Sequence, residues 1–351
     1  MNLRGNNEDI YDILMKIPFL KINISKLCLF VNEIIDDMDL SKYEEQYEDA
    51  RCKDSYSRAM LLKIVSYGLL NGVLSSRKLE YEVKHNFEYM FLAGLETFSY
   101  RTILRFKNND YEMMEKFFLK TVDYAYERGY VEFNTILYDG TTKQAHANTY
   151  KRLNQTEIDY LKKFLKSSLK QEKTGMMEYM VVNEDPVKEL EVKKKIFKEI
   201  LYKIEEKGIN LRRTAKNIIF NSILNPKEID TLLNKVEYAE SELHKIDNKN
   251  INYVDPESRY RPNKGNKWEF GYIEEVANDA KHNITIAKRV TQDTNDQKQL
   301  IPMIEKALEC IKKVKNLTQE ELTKQIPEIK HVFDNGFLTF KNLAEIKKKI
   351  I

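Results

Sequence analysis

Two aspartates with the same local grammar carry the most chemistry in this sequence. Asp139 follows Ile136-Leu137-Tyr138 and precedes Gly140-Thr141-Thr142, and Asp334 follows the run Ile329 to Phe333 and precedes Asn335-Gly336. Each context reads as a short apolar strand that ends in a carboxylate, with glycine close behind to let backbone approach a bound group. Mg²⁺ takes hard oxygen ligands and binds through few protein carboxylates while keeping water. With the two strands as neighbours in one sheet, both acids would aim at one point. A pair of Mg²⁺ or Mn²⁺ ions about 3.5–4 Å apart would there activate a water or a 3′ hydroxyl and stabilise the leaving oxygen. Taken singly, each aspartate reads as a turn former; the matching context is what pairs them.

The elements around these acids follow from periodicity and punctuation. Residues 1–50 read as one or two short helices with an acidic surface. Residues 55–110 divide into three helices. Ser57 caps the first, whose apolar face holds Met60, Leu61, Ile64, Val65 and Leu69, and Gly72 ends it. Ser75 and Ser76 start the second, with Leu79, Val83 and Phe87 inward. Ser99 caps the third, with Arg101, Arg105 and Lys107 on its outer side. Short helices with tight turns, the last one basic, fit a helix-turn-helix DNA reader or a plain helical bundle with a solvated basic face. By position, those three cations are the candidates for DNA phosphates.

Residues 111–130 predict an amphipathic helix closed by Gly129 that leads into the Asp139 strand. Residues 154–247 alternate acid and base at three- and four-residue spacing, which predicts long exposed helices or an antiparallel helical hairpin, broken near Gly208 and Pro226. From Tyr253 the pattern changes. Trp268 to Ala277 and Asn283 to Val290 alternate around Asn278–Lys281 and predict a hairpin, and residues 297–315 return to helical spacing before the Asp334 strand. His146 reads as a solvated polar-turn residue, Asp255, Asp293 and Asp296 as turn residues or caps, and Trp268 as a packing residue.

Composition sets the class. The chain has 351 residues, 42% apolar and 32% charged, with a formal net charge of +3, which fits a helix-rich globular protein of two or three domains. Residues 1–56 carry 12 acids against 7 bases, and residues 151–216 carry 17 bases against 11 acids. A basic middle behind an acidic head permits nucleic-acid contact without requiring it. Cys28, Cys52 and Cys310 are scattered without metal or disulfide spacing, which points to a reducing compartment. The most apolar run, Ala59 to Val73, is interrupted by Lys63 and is too short to span a bilayer. No signal-peptide pattern opens the sequence, so a cytoplasmic protein is expected.

Four segments, in order, resemble the DDE transposases of bacterial insertion sequences that carry a helical N-terminal domain. The stretch LLKIVSYGLLNGVLSSRKLEYEVKHNFEYMFLAGLETFSYRTILRFKNND resembles that domain nearly end to end. ILYDGTTKQAHAN resembles the family's first catalytic strand, and the block from DPESRYRPNKGNKWEFGYIEEVANDAKHN onward resembles its charged loop and Gly-Tyr hairpin. VFDNGF resembles its second catalytic strand. The likeness covers about residues 55–150 and 250–345, and residues 154–247 fit the family's insertion.

The resemblance implies an α+β, mostly α chain. A helical N-terminal DNA-binding domain over residues 1–130, with its helix-turn-helix-like core at 55–110, would precede a ribonuclease-H-like α/β domain. That second domain, 131–351, would be incomplete and interrupted by the helical insertion 154–247. The resemblance further implies Mg²⁺ or Mn²⁺, strand transfer at transposon ends, double-stranded DNA as partner, a homo-oligomer on DNA, and association with the nucleoid when bound. Residue by residue, Asp139 matches the first acid and Asp334 the second. The family's third acid, a glutamate on a later helix, has no counterpart, since Glu345 falls too early. The expectation is therefore a chain truncated at its C-terminus or one half of a split frame. It would be either a transposase or an inactive DNA-binding remnant that interferes with an intact enzyme.

Overall fold

The computed structural model describes residues 24–48, 56–145, 147–173, 185–246, 249–262, 265, 267–293 and 298–334, with residues 337, 339, 342 and 344. These fall into two compact units. The first takes the described residues up to Thr135 together with Asp279–Ile286 and Glu309–Leu322; the second takes Ile136–Asn278, Ala287–Leu308 and the described residues from Thr323 onward.

The first unit is helical: α1 Lys26–Asp36, α2 Ser41–Glu48, α3 Arg58–Leu70, α4 Ser76–His85, α5 Phe87–Leu92, α6 Tyr100–Asn109 and α7 Tyr111–Glu127. Its core gathers Cys28, Val31, Leu61, Ile64, Leu79, Phe91, Ile103, Phe106 and Phe117. The Cys28 thiol lies in it, and burial pushes its pKa up to about 12, so the thiolate that reacts is scarce. Helix starts follow capping chemistry. Ser57 Oγ accepts from Met60 N at 3.3 Å, and Glu44 adds bonds from Arg58 N at 3.0 Å and Ala59 N at 2.9 Å. Gly72 and Gly129 sit at φ +71° and +70° beyond α3 and α7, the left-handed backbone that glycine adopts without a Cβ penalty.

Two differences from the sequence reading arise here. The span 55–110 holds four helices rather than three, because Asn86, extended at φ −113°, breaks α4 from α5 and accepts from Glu88 N. Ser99 occupies the cap position of α6 but makes no cap bond. Glu80 of α4 takes that role across space, accepting from Tyr100 N at 2.9 Å.

The second unit combines a sheet with a helical layer. Its elements are β1 Thr135–Gln144, β2 Arg152–Leu153, α8 Gln155–Lys173, α9 Pro186–Glu206, α10 Arg213–Leu224, α11 Ile229–Leu243, β3 Ile251–Asn252, β4 Arg259–Pro262, β5 Trp268–Asp279, β6 Ile284–Thr291 and β7 Lys330–Phe333. Helix α12, Leu300–Val314, and α13, Gln319–Gln325, stand between β6 and β7.

Helices α8–α11 are amphipathic about a core of their own, formed by Ile158, Leu161, Leu165, Ile204, Ile218, Ile219, Leu233 and Val236. The sequence reading saw an exposed, charged stretch. Charges indeed line the outer faces, but the apolar positions between them fall on a single stripe per helix and bury one another. The layer is anchored where it begins and ends: β2 and β3 pair antiparallel, Arg152 with Asn252 and Leu153 with Ile251. The buried carboxylate of Glu157 accepts from Arg212 N at 2.7 Å and Nε at 2.9 Å, while Arg212 Nη1 reaches Asn250 Oδ1 at 2.7 Å.

The main sheet runs β4-β5-β1-β7, with β6 also paired to β5. Strand β4 lies antiparallel to β5, Arg259 opposite Gly271 and Pro262 opposite Trp268. The β5–β6 hairpin and the helix over residues 300–314 appear where the sequence placed them.

Candidate active site

Asp139 sits within β1, not at its end. Ile136 and Tyr138 are buried, Asp139 is exposed, and the strand continues through Thr141, Thr142 and Gln144. The sequence reading put a Gly-Thr-Thr turn there. Threonine is a good strand former, and cross-strand pairing holds this segment extended. Ala145 N donates to Phe270 O, and Ala280 N to Thr135 O, both at 2.9 Å. As β1 ascends β5 descends, so the pair is antiparallel, with Asp139 opposite Val276 and Gly140 opposite Glu275.

Gly140 has a spatial reason. A Cβ there would lie 2.8 Å from Glu275 Oε2 and 3.1 Å from Oε1. Glu275 itself is 1% exposed. The sequence reading missed this carboxylate, and the signal was available: in the alternation Gly271, Ile273, Glu275, Ala277, Asp279, an acid occupies an inward position. Alternation sends Glu275 to the face that carries Tyr138 and Gly140, away from Asp139.

On the other edge of β1 lies β7. Tyr138 Oη and His331 Nδ1 are hydrogen-bonded at 2.8 Å, and their rings stack with centroids 5.7 Å apart. Those two residues therefore share a face. Asp139, one residue beyond Tyr138 on β1, is turned by alternation to the opposite face, while Asp334 lies just past the end of β7. Both are exposed. The strand that carries one sequence-predicted acid, β1, and the strand that leads to the other, β7, are thus neighbours. Asp334 is the first residue past β7; Asn335, Gly336, Glu345, His146 and Asp296 lie outside the described residues.

His331 supplies a pH test of this strand pairing. Burial holds its imidazolium below the usual 6.5, so the neutral ring is the folded form. A base whose folded pKa is depressed contributes stability that is complete above the unfolded value and is lost as pH falls through the folded one. Lowering the pH from about 7 to about 5 should reduce the urea midpoint, and His331→Phe should flatten that part of the profile. A wild-type profile with the same slope as the variant would refute the assignment.

Asp255 and Asp293 make local hydrogen bonds. Asp255 Oδ1 accepts from Tyr272 Oη at 2.6 Å, and Asp293 N donates to Thr291 Oγ1 at 3.1 Å. Trp268 packs on Tyr260 with centroids 5.3 Å apart and stays 56% exposed.

Asp139 and Asp334 are hard oxygen donors facing water, a donor set that fits one Mg²⁺ or Mn²⁺ keeping most of its waters. A metal pair needs more bridging and terminal carboxylates than two side chains offer. Among the described residues no group of three or more His, Cys, Asp or Glu is placed to hold a metal ion. By donor chemistry alone, the two carboxylates are of the type that hydrated Mg²⁺ or Mn²⁺ takes.

The cationic candidates lie on α6 in the first unit. Arg101 and Arg105 are exposed, one turn apart on the outer side. Lys107 is placed differently: its Nζ donates to Leu74 O at 2.6 Å, and burial lowers its pKa. It ties α6 to the loop before α4.

A family model described as Transposase domain (DUF772) matches residues 21–109. The match ends with α6 and so covers about a quarter of the chain, all of it in the first unit. It links that helical part to transposases in general. Neither a curated protein nor a solved structure matches the chain. Among the described residues no helix is long and apolar enough to cross a membrane.

Proposed function

We propose that this chain is a transposase-type protein that binds the double-stranded ends of an insertion sequence through its helical first unit. In its sheet, Asp139 and Asp334 form the acid pair. The observation that supports the reading is the adjacency of β1, which carries Asp139, and β7, which leads into Asp334, in a chain whose first unit matches a transposase domain. A central acid-bearing strand with the β5–β6 hairpin on one side and the second acid's strand on the other supports a ribonuclease-H-like frame. The two carboxylates would hold a Mg²⁺ or Mn²⁺ ion, whose chemistry when bound is to polarise phosphate oxygens and lower the pKa of its water. The protein's own part is to fix the two side chains: the Tyr138–His331 bond holds the strands in register, and the buried Ile136 keeps β1 in the core.

A second reading has its own observation. No described residue supplies a third carboxylate beside the pair, which favours an end-binding protein that does not cut and competes with an intact enzyme. One experiment separates the two. With supercoiled plasmid carrying the element's ends and Mn²⁺, a transposase nicks strands, and Asp139→Ala abolishes nicking while leaving end binding intact. Because losing a ligand from a metal centre removes the charge stabilisation it supplies, a drop of at least about 100-fold is expected. Tight end binding with no nicking by the wild type would support the second reading. Absence of both would overturn the proposal.

A further inference from the structure

Helices α4 and α6 of the first unit carry an arrangement that the sequence reading did not find. The Arg77 guanidinium of α4 lies over the Tyr100 ring at 5.0 Å from its centroid, and that of Arg101 lies 6.0 Å from the same centroid. Two planar cations from different helices are thus held around one aromatic ring. The acid beside the ring is already committed: Glu80 accepts from Tyr100 N at 2.9 Å and pairs with Lys84 at 2.7 Å. Among the described residues neither arginine pairs with a carboxylate, and both are exposed. The phenol registers the local positive charge, since hydrogen bonds from Arg101 and then Arg77 hold its pKa below the usual 10.0.

We propose that Arg77 and Arg101, braced by Tyr100, form a seat for a backbone phosphate of duplex DNA. The seat rests on the DNA-binding reading above and deepens it by adding Arg77 and Tyr100. Guanidinium forks match phosphate oxygens two at a time, and stacking on a ring orders them before the anion arrives, which reduces the entropy lost on binding. Arg105 stands about 6 Å further along the axis of α6 than Arg101, four residues at the helical rise. The cations therefore track a line and do not close on a point. A polyanion fits such a line better than a single free phosphate ion.

The test is the salt dependence of binding by the full-length protein to a mixed-sequence duplex of about 30 base pairs, since each neutralised phosphate contributes roughly 0.9 to the slope of log K against log salt. The Arg77→Gln/Arg101→Gln pair should lower that slope by roughly one to two and weaken binding about 10-fold or more near 0.1 M salt. Arg77→Lys/Arg101→Lys should keep the slope but lose part of the affinity, because charge remains and the fork is gone. Tyr100→Leu should move in the same direction as the glutamine pair, and Lys84→Gln should not. Circular dichroism checks that each variant is folded. If the wild type binds duplex and the folded glutamine pair shows an unchanged slope, the seat is wrong and the DNA-binding reading stands. A wild type that shows no salt-sensitive binding to duplex sinks both. Tighter binding of an RNA hairpin than of the duplex would overturn the occupant.

Discussion

Replacing Arg259 by methionine lowers the stability of the second unit by about 3–5 kcal/mol, the range seen when one partner of a buried ion pair is removed. Arg259 opens β4 and is 5% exposed. Its guanidinium donates to Glu242 Oε2 at 3.2 Å and Gln292 Oε1 at 2.7 Å. It also donates to the carbonyls of Pro256 at 3.0 Å and Glu257 at 2.8 Å. Glu242, on α11, is 4% exposed, so losing the arginine strands a carboxylate with only the solvent-side Lys245 beside it.

Burial pushes the Glu242 pKa up, but the bonds from Lys245 and Arg259 outweigh it and hold the group below its usual 4.5. A carboxyl depressed in the folded state contributes stability that is present above the unfolded pKa and lost as pH falls through the folded one. The acid arm of the stability profile below about pH 4.5 should therefore shrink in Arg259→Met. Urea unfolding followed by circular dichroism measures both effects. Adding Glu242→Gln to Arg259→Met should recover part of the loss, since the stranded charge goes with it. A single-variant cost under about 1 kcal/mol would mean that water solvates the pair.

Gly271→Ala should disrupt the β1–β5 pairing and cost about 1–3 kcal/mol, the range for overpacking, or more. A Cβ at Gly271 would stand 2.5 Å from Lys143 O, a backbone atom of β1. Nothing flexible can yield there, so the strands must part. Gly140→Ala meets the end of a side chain, Glu275, at 2.8 Å and should cost less. The ordering of the two variants in urea midpoint is the check; equal midpoints would show that β1 shifts as easily as a glutamate rotates. On the proposed metal role of Asp139, which β1 carries, Gly271→Ala should also weaken Mn²⁺ binding in a calorimetric titration, while Gly140→Ala retains more of it.

The Gly-Tyr pair at the start of the hairpin was legible in the sequence as a family likeness. Its physical reason, close approach of two strand backbones, was not, because the approaching atom belongs to a residue more than a hundred positions away. Asp139 shows the same limit. Its apolar lead-in and following glycine read locally as a strand end, but β5 supplies partners that extend the strand past it. Glu80 capping α6 in place of Ser99, and Arg77 meeting Arg101 at Tyr100, also join residues that no local window pairs.

The sequence by itself determined most helices of the first unit, though not the break at Asn86, together with the β5–β6 hairpin, the Lys330–Phe333 strand and the glycine stops. Period, capping residues and left-handed glycines act within a few residues of chain. The tertiary structure alone decided that β1 and β7 are neighbours, that Asp139 and Glu275 take opposite faces of the sheet, and that α8–α11 enclose a core. Those outcomes depend on which distant strands and stripes meet, and burial settles that for the chain as a whole.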